Sequence, residues 1–128
     1  PGARRDPGLV LFRFNAPLVF FNAPYFKQQA LAAIRAAGPD LRWFVIDALP
    51  LTHMDATGYD ALGDLSRTLR EGGAELVVAG RKTETSEWLT AKGLGESRIA
   101  ARHFPTLRWA VKAFRELYPA DLDPQPRL

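Results

Sequence analysis

The sequence predicts a single α/β domain in which a small β-sheet, with a hairpin at its start, is flanked by about four helices. Three observations support this fold class. Short apolar runs of strand length alternate with longer segments whose apolar residues recur every three to four positions. Proline and glycine mark most changes from one pattern to the other. The 128 residues, 47% hydrophobic and 24% charged, suit one globular domain with its own core.

The predicted hairpin opens the chain. Residues 9–14 are rich in Leu, Val and Phe and stop at Asn15-Ala16-Pro17, after which residues 18–21 form a second apolar run. Pro17 cannot donate a hydrogen bond within the sheet, so it is expected to open the second strand or to lie on an edge. Residues 1–7 combine Pro, Gly and charge without an apolar period and are predicted to be a linker.

Four helical segments follow, and the first, second and fourth each have one apolar stripe. They run from Pro24 to Ala37 before Gly38-Pro39, from about Ala56 to Glu71, from Thr83 to Lys92 with Thr83 or Thr85 as its cap, and from Pro105 onward. The residues expected to face the core are Phe26, Ala30, Ala33, Ile34 and Ala37 in the first helix, Leu62, Leu65 and Leu69 in the second, and Leu107, Ala110, Val111, Phe114 and Leu117 in the fourth.

The remaining strands are predicted between these helices. Residues 43–46 and 76–79 are almost entirely apolar, as expected of strands covered on both faces, and residues 99–104 read as a short strand or a loop. A helix between successive strands implies parallel strands and right-handed crossovers, whereas the pattern does not give the strand order. The domain is therefore expected over residues 8–118. Residues 119–128 contain three prolines and little to bury, which predicts a flexible tail.

Composition excludes several classes of function. With no cysteine the chain has no disulfide, zinc knuckle, iron–sulfur cluster or thiol nucleophile. No apolar run approaches the roughly 20 residues that span a bilayer, and no signal peptide is present. The formal charge is only +3 and the basic residues are scattered, so no nucleic-acid partner is expected. The chain begins Pro1-Gly2 without a methionine, and we expect it to be a piece of a longer protein.

Catalytic and metal-binding patterns are missing from the sequence. His53 and His103 have no His or Cys at ligand spacing, which favours loop or packing roles. The segment Gly80-Arg81-Lys82-Thr83 follows a strand but lacks the glycine-rich turn that cradles phosphate, so it reads as a charged loop. We therefore predict a non-enzymatic domain that needs no cofactor.

Three aspartates are candidate ligands for a magnesium ion. Asp47 ends a predicted strand, and Asp55 and Asp60 lie near a helix start. Carboxylates are favourable beside the positive end of a helix without any metal, so capping is the favoured interpretation and no metal site is predicted.

The segment Asp55-Ala56-Thr57-Gly58 carries the candidate site. A buried strand ends shortly before it and a helix begins within it, so backbone N–H groups and the positive end of the helix dipole converge there. Such a junction accommodates an anion, or a phosphate attached to Thr57. By local rules alone the favoured interpretation is structural: Asp55 or Thr57 caps the helix, with Thr57-x-x-Asp60 as a loose capping box.

Four segments taken in order resemble the STAS domain, the sulfate transporter and anti-sigma-factor antagonist domain. They are Leu11 to Ala23 (LFRFNAPLVFFNA), Met54 to Gly58 (MDATG), Leu76 to Gly80 (LVVAG) and Phe104 to Thr106 (FPT). The resemblance covers most of residues 8–118. The opening segment with its APL-FFNA pattern is similar to the branch found at the C-terminus of SulP-type anion transporters.

The resemblance implies a regulatory domain on the cytoplasmic side of the membrane, attached to the membrane-embedded transporter domain of the same polypeptide. It also implies possible partners: a second STAS domain in a dimer, a regulatory protein, or a nucleotide, for which Arg81 and Lys82 are the candidate contacts beside Asp55–Gly58. In stand-alone antagonists the residue at Thr57 is a phosphorylatable Ser or Thr that switches binding to an anti-sigma kinase. A stand-alone antagonist is the alternative function, although Ala56 replaces a Ser that antagonists often carry.

Overall fold

The computed structural model describes residues 6–14, 22–47, 54–91 and 98–119. Its elements are β1 (Leu9–Phe12), α1 (Ala23–Ala37), β2 (Trp43–Asp47), α2 (Ala56–Glu71), β3 (Glu75–Ala79), α3 (Glu84–Thr90), β4 (Arg102–Phe104) and α4 (Leu107–Leu117). The predicted α/β class is confirmed. The second strand of the predicted hairpin, residues 18–21, lies outside the described residues, as do residues 1–5 and 120–128.

The four strands form one sheet in the order β1-β2-β3-β4, and each neighbouring pair is parallel. Asp47 at the end of β2 is in register with Ala79 at the end of β3. The connections that follow the strands, and the first turns of the helices that come next, therefore lie along one edge of the sheet. We call it the carboxyl edge and the opposite one the amino edge.

The helices divide unequally between the two faces of the sheet. Because alternate strand residues point to opposite faces, Phe44 and Ile46 of β2 pack with α1, α2 and α3, whereas Trp43 and Val45 pack with α4. The predicted leucine stripe of α2 is confirmed in the first of these layers. Burial on both faces explains why β2 and β3 read as continuous apolar runs.

Two residues expected to face the core are exposed. Ala37 is the last residue of α1, and Leu117, the last residue of α4, keeps 53% of its surface exposed. The apolar period predicts on which face of a helix a residue lies. It does not predict whether a neighbouring element covers the end of that helix. The last strand is also shorter than residues 99–104, because only Arg102–Phe104 pairs with β3.

Candidate functional site

The start of α2 is organised by Asp55. This residue adopts an extended conformation as the N-cap, and its Oδ1 accepts a hydrogen bond of 2.9 Å from the backbone N–H of Gly58. The backbone N–H of Tyr59 donates to the Asp55 carbonyl at 3.1 Å and begins the helical ladder. The N–H groups of residues 56 and 57 precede that ladder, as they do in any α-helix, and lie at the positive end of its dipole.

The expected capping box between Thr57 and Asp60 is wrong. Asp55 is the cap, so Thr57 is the second residue of the helix and its backbone is already helical. A cap requires the half-extended geometry that Asp55 has. Thr57 and Ala56 are both exposed, whereas Gly58 is buried against the domain. The candidate segment therefore exposes the side chain of Thr57 to solvent at the carboxyl edge.

A groove between α1 and α2 reaches Thr57. Its volume is about 690 Å³, and Ala23, Leu31 and Ala61 are among the apolar residues that line it. Charged side chains from both helices complete the lining, and these are Lys27 and Arg35 from α1 and Asp60 and Asp64 from α2. We call this feature the α1/α2 groove. Its apolar residues lie between basic side chains on α1 and acidic side chains on α2, and Lys27 and Asp64 bridge the two helices.

Asp64 of α2 forms an ion pair with a lysine of α1 across this groove. Its Oδ2 lies 3.0 Å from Lys27 Nζ, and its Oδ1 lies 3.1 Å from Arg67 Nη1. The hydrogen bond from Lys27 lowers the pKa of the Asp64 carboxyl, and the bond from Arg67 acts in the same direction. Asp64 therefore stays ionised to a lower pH than an isolated aspartate.

An aromatic pair joins α2 to α3 close to the candidate segment. The ring centroids of Tyr59 and Trp88 are 4.1 Å apart, and Trp88 keeps 54% of its surface exposed. The predicted nucleotide contacts Arg81 and Lys82 follow β3 and precede α3, so they lie at the carboxyl edge and are exposed. Lys82 Nζ lies 4.0 Å from Glu87 Oε2 in α3.

Two other candidates for metal binding, Asp47 and His103, make structural contacts instead. Asp47 Oδ2 lies 3.1 Å from Arg13 Nε, and His103 Nε2 lies 2.8 Å from the Gly80 carbonyl. His53 lies outside the described residues. Within the described ranges, no three His, Cys, Asp or Glu side chains come together as a metal site. None of the helices that the structure describes has both the length and the apolar character required to span a bilayer.

These features define a small α/β domain whose candidate site is a loop–helix junction beside an interhelical groove. The chain belongs to the STAS domain family, because the model of that family matches residues 1–110. A probable sulfate transporter of Mycobacterium tuberculosis is 39% identical over an alignment of 119 positions, which covers 90% of this chain and 20% of the relative. The chain thus spans about a fifth of the length of the curated relatives it matches.

Solved structures agree on the fold. The murine Solute Carrier 26 family member A9 anion transporter in its inward-facing state superposes with a TM-score of 0.71 and 21% identity, over 89% of this chain and 19% of the transporter. A putative anti-sigma factor antagonist from Thermotoga maritima gives 0.67 and 15% identity, over 88% of this chain and 92% of the antagonist. Both likenesses establish the STAS fold, which the two kinds of protein share.

The groove and the aromatic pair were not found from the sequence. Lys27 and Asp64 are 37 positions apart, and nothing in either helix marks the other as its partner. Aromatic residues within two successive helices, Tyr59 in α2 and Trp88 in α3, are the one available signal. The sequence contains that signal but does not tell which two of them meet.

Proposed function

We propose that this chain is the STAS domain of a SulP-type secondary anion transporter for sulfate, bicarbonate or a related anion. In this proposal it lies on the cytoplasmic side of the membrane and modulates transport, assembly or trafficking of the membrane-embedded part of the same polypeptide. The 39% identity with a probable sulfate transporter supports this function. The relative's much greater length is consistent with a domain attached to a larger protein.

The observation that carries the proposal is the position of Thr57. It is exposed in the first turn of α2 and lines the α1/α2 groove, one turn before Asp60 and two turns before Asp64. Phosphate on Thr57 adds about −1.5 to −2 charges at neutral pH. The helix dipole favours that charge, whereas Asp60 opposes it, and Asp64 is already paired with Lys27 and Arg67. Phosphorylation therefore changes the electrostatic character of the groove, and with it the affinity for a regulatory partner that contacts this surface.

Nucleotide binding is the second interaction proposed for this edge. Strands β2 and β3 are parallel neighbours that end in register, which brings the exposed cations Arg81 and Lys82, just after β3, to the edge at which α2 begins. Guanidinium and ammonium groups pair with phosphates. Titration of the chain with ATP or GTP is expected to shift the amide resonances of Thr57 and Lys82. Unchanged resonances at millimolar nucleotide would remove this part of the proposal.

The alternative is a stand-alone antagonist that binds an anti-sigma kinase and is released by phosphorylation of Thr57. Its support is the fold shared with the antagonist from Thermotoga maritima. The 39% identity with a probable sulfate transporter favours the transporter function, since the antagonist likeness rests on 15% identity.

The test compares variants in the complete parent protein. Thr57→Asp introduces a negative charge at the candidate site, and Thr68→Asp introduces the same charge at another exposed position of α2. Uptake of radiolabelled sulfate and the amount of transporter in the membrane are measured for both. We expect Thr57→Asp to change one of these quantities at least twofold and Thr68→Asp to leave both near wild type.

Two results would contradict the proposal. In the first, deletion of the whole domain leaves expression, oligomeric state and transport unchanged. In the second, the chain is expressed without a membrane part and forms a complex with an anti-sigma kinase that Thr57→Asp dissolves. The second result would establish the alternative function.

A further inference from the structure

A second pocket lies at the amino edge of the sheet, opposite the candidate site, and Leu76, Ile99 and Ala101 form its apolar lining. It has a volume of about 350 Å³ and lies between the last turns of α2 and the segment that precedes β4. Ser66, Arg70, Glu75 and Arg98 supply its polar lining. We call it the arginine pocket. The proposed function does not involve this pocket.

Arg70 is directed into the pocket rather than toward the end of its own helix. Its Nη1 donates a 2.7 Å hydrogen bond to Oγ of Ser66, one turn earlier, and Ser66 is only 3% exposed. The carbonyls at the end of α2 accept instead from the backbone N–H groups of residues 72–74. Arg70 is therefore not required as a C-terminal cap, and its guanidinium is held beside a buried hydroxyl.

The positive charge of the pocket is incompletely compensated. Glu75 is its one carboxylate lining residue, and Oε1 of Glu75 already accepts a 2.9 Å hydrogen bond from Arg102 Nε. In the described part of the chain, the hydrogen bonds of Arg98 and Arg70 go to neutral oxygens. The bond from Arg98 Nη1 to the Ala101 carbonyl is 3.4 Å long, and that from Arg70 Nη1 to the Arg98 carbonyl is 3.5 Å long. Both lengths are beyond the usual range for a strong bond.

We propose that the arginine pocket binds a tetrahedral oxyanion of the phosphate or sulfate type. Each guanidinium presents five donors in a planar fork that matches two oxygens of such an anion, and charge-assisted bonds of this kind are about twice as strong as neutral ones. Arg70 of α2 and Arg98 of the segment before β4 are exposed residues that both line the pocket, so an anion bound in it can accept hydrogen bonds from either guanidinium. The Ser66 hydroxyl fixes the position of the Arg70 fork, and the volume leaves room for water or for a group that carries the phosphate.

The test titrates the 128-residue chain with sodium sulfate and sodium phosphate at constant ionic strength, with sodium chloride as the balancing salt. Binding is followed by calorimetry and by the amide resonances of Ser66, Arg70 and Ala101. Arg70→Gln and Arg98→Gln are each expected to weaken binding about tenfold or more, which corresponds to about 1.4 kcal/mol. Arg67→Gln is the matched control, since Arg67 is exposed on the same helix and pairs with Asp64. It is expected to bind as the wild type does.

The two anions distinguish the source of the ligand. Saturation by both supports recognition of the free tetrahedral anion, and saturation by phosphate alone supports recognition of a phosphoryl group. The proposal is overturned if chloride produces the same shifts, or if both arginine variants bind as tightly as the wild type. Neither negative result affects the proposed function, because Thr57 lies at the other edge of the sheet and no residue that lines the arginine pocket also lines the α1/α2 groove.

Discussion

At the scale of single residues, local chemistry decides which side chain caps α2. Both Asp55 and Thr57 are good caps by type, and the sequence alone left both open. The extended backbone of Asp55 and its bond to Gly58 make it the cap and leave Thr57 exposed. The role of Asp64 is different in kind, because its main partner is Lys27 on another helix. A contact of that kind depends on how two helices pack, which no local rule supplies.

Replacing Lys27 tests this pairing through the pKa of Asp64. In Lys27→Gln we expect that pKa to move up toward the ordinary value of about 3.9, and by more than in Arg67→Gln, because the Lys27 hydrogen bond has the larger effect. The measurement is an NMR titration of the aspartate carboxyl carbons. Equal shifts in the two variants, or no shift, would contradict the assigned cause.

The same pairing gives stability a pH dependence whose sign follows from the lowered pKa. The folded-state pKa of Asp64 is below the unfolded value, so the contribution is fully present above about pH 4 and is lost as the pH falls through the folded pKa. The difference in stability between the wild type and Lys27→Gln should therefore shrink on acidification. Denaturant titrations at several pH values measure it.

At the scale of elements, α4 has a distinct position. Among the described helices it alone packs on its face of the sheet, where Phe114 lies 5.4 Å from Trp43 and 4.9 Å from Tyr118, centroid to centroid. The last turn of α4 contacts the start of the domain, because Arg115 donates two hydrogen bonds of 2.9 Å to the carboxylate of Asp6. The helix thus joins positions 109 residues apart.

Two substitutions in α4 test whether burial, and not hydrophobicity alone, decides how much a residue contributes to the free energy of unfolding. Phe114→Ala is expected to lower the free energy of unfolding by about 3–5 kcal/mol, because it empties a fully buried ring position. Leu117→Ala, which the stripe alone would rank as another core substitution, is expected to change it by no more than about 0.5 kcal/mol. Urea unfolding followed by tryptophan fluorescence measures both. Equal losses in the two variants would show that Leu117 is buried after all.

At the scale of the whole molecule, the parallel order β1-β2-β3-β4 separates two polar regions. Thr57 in the first turn of α2, and Arg81 and Lys82 between β3 and α3, lie at the carboxyl edge. Arg70 and Arg98 lie at the amino edge. A partner at one edge therefore leaves the other accessible. This arrangement depends on strand order and on the crossovers.

Truncation tests the predicted end of the domain. Removing residues 120–128 is expected to change the free energy of unfolding by no more than about 0.5 kcal/mol, because these residues have little apolar surface to bury. Ending the chain at Leu117 also removes Tyr118, whose ring contacts Phe114 and lies 4.6 Å from the guanidinium carbon of Arg42. We expect that shorter chain to lose roughly 1–2 kcal/mol. A comparable loss of stability in the chain that ends at residue 119 would place the domain boundary beyond residue 118.

Local patterns in the sequence predict the α/β class, the bounds of α2, the buried character of β2 and β3, and the junction at Asp55–Gly58. These follow from periodicity, turn residues and capping chemistry, which act between residues only a few positions apart. The tertiary structure alone decided the strand order, the exposure of Leu117, the α1/α2 groove with its Lys27–Asp64 pair, and the meeting of Arg70 with Arg98. Those features join residues that are distant along the chain, and their contacts exist only after helices and strands have packed.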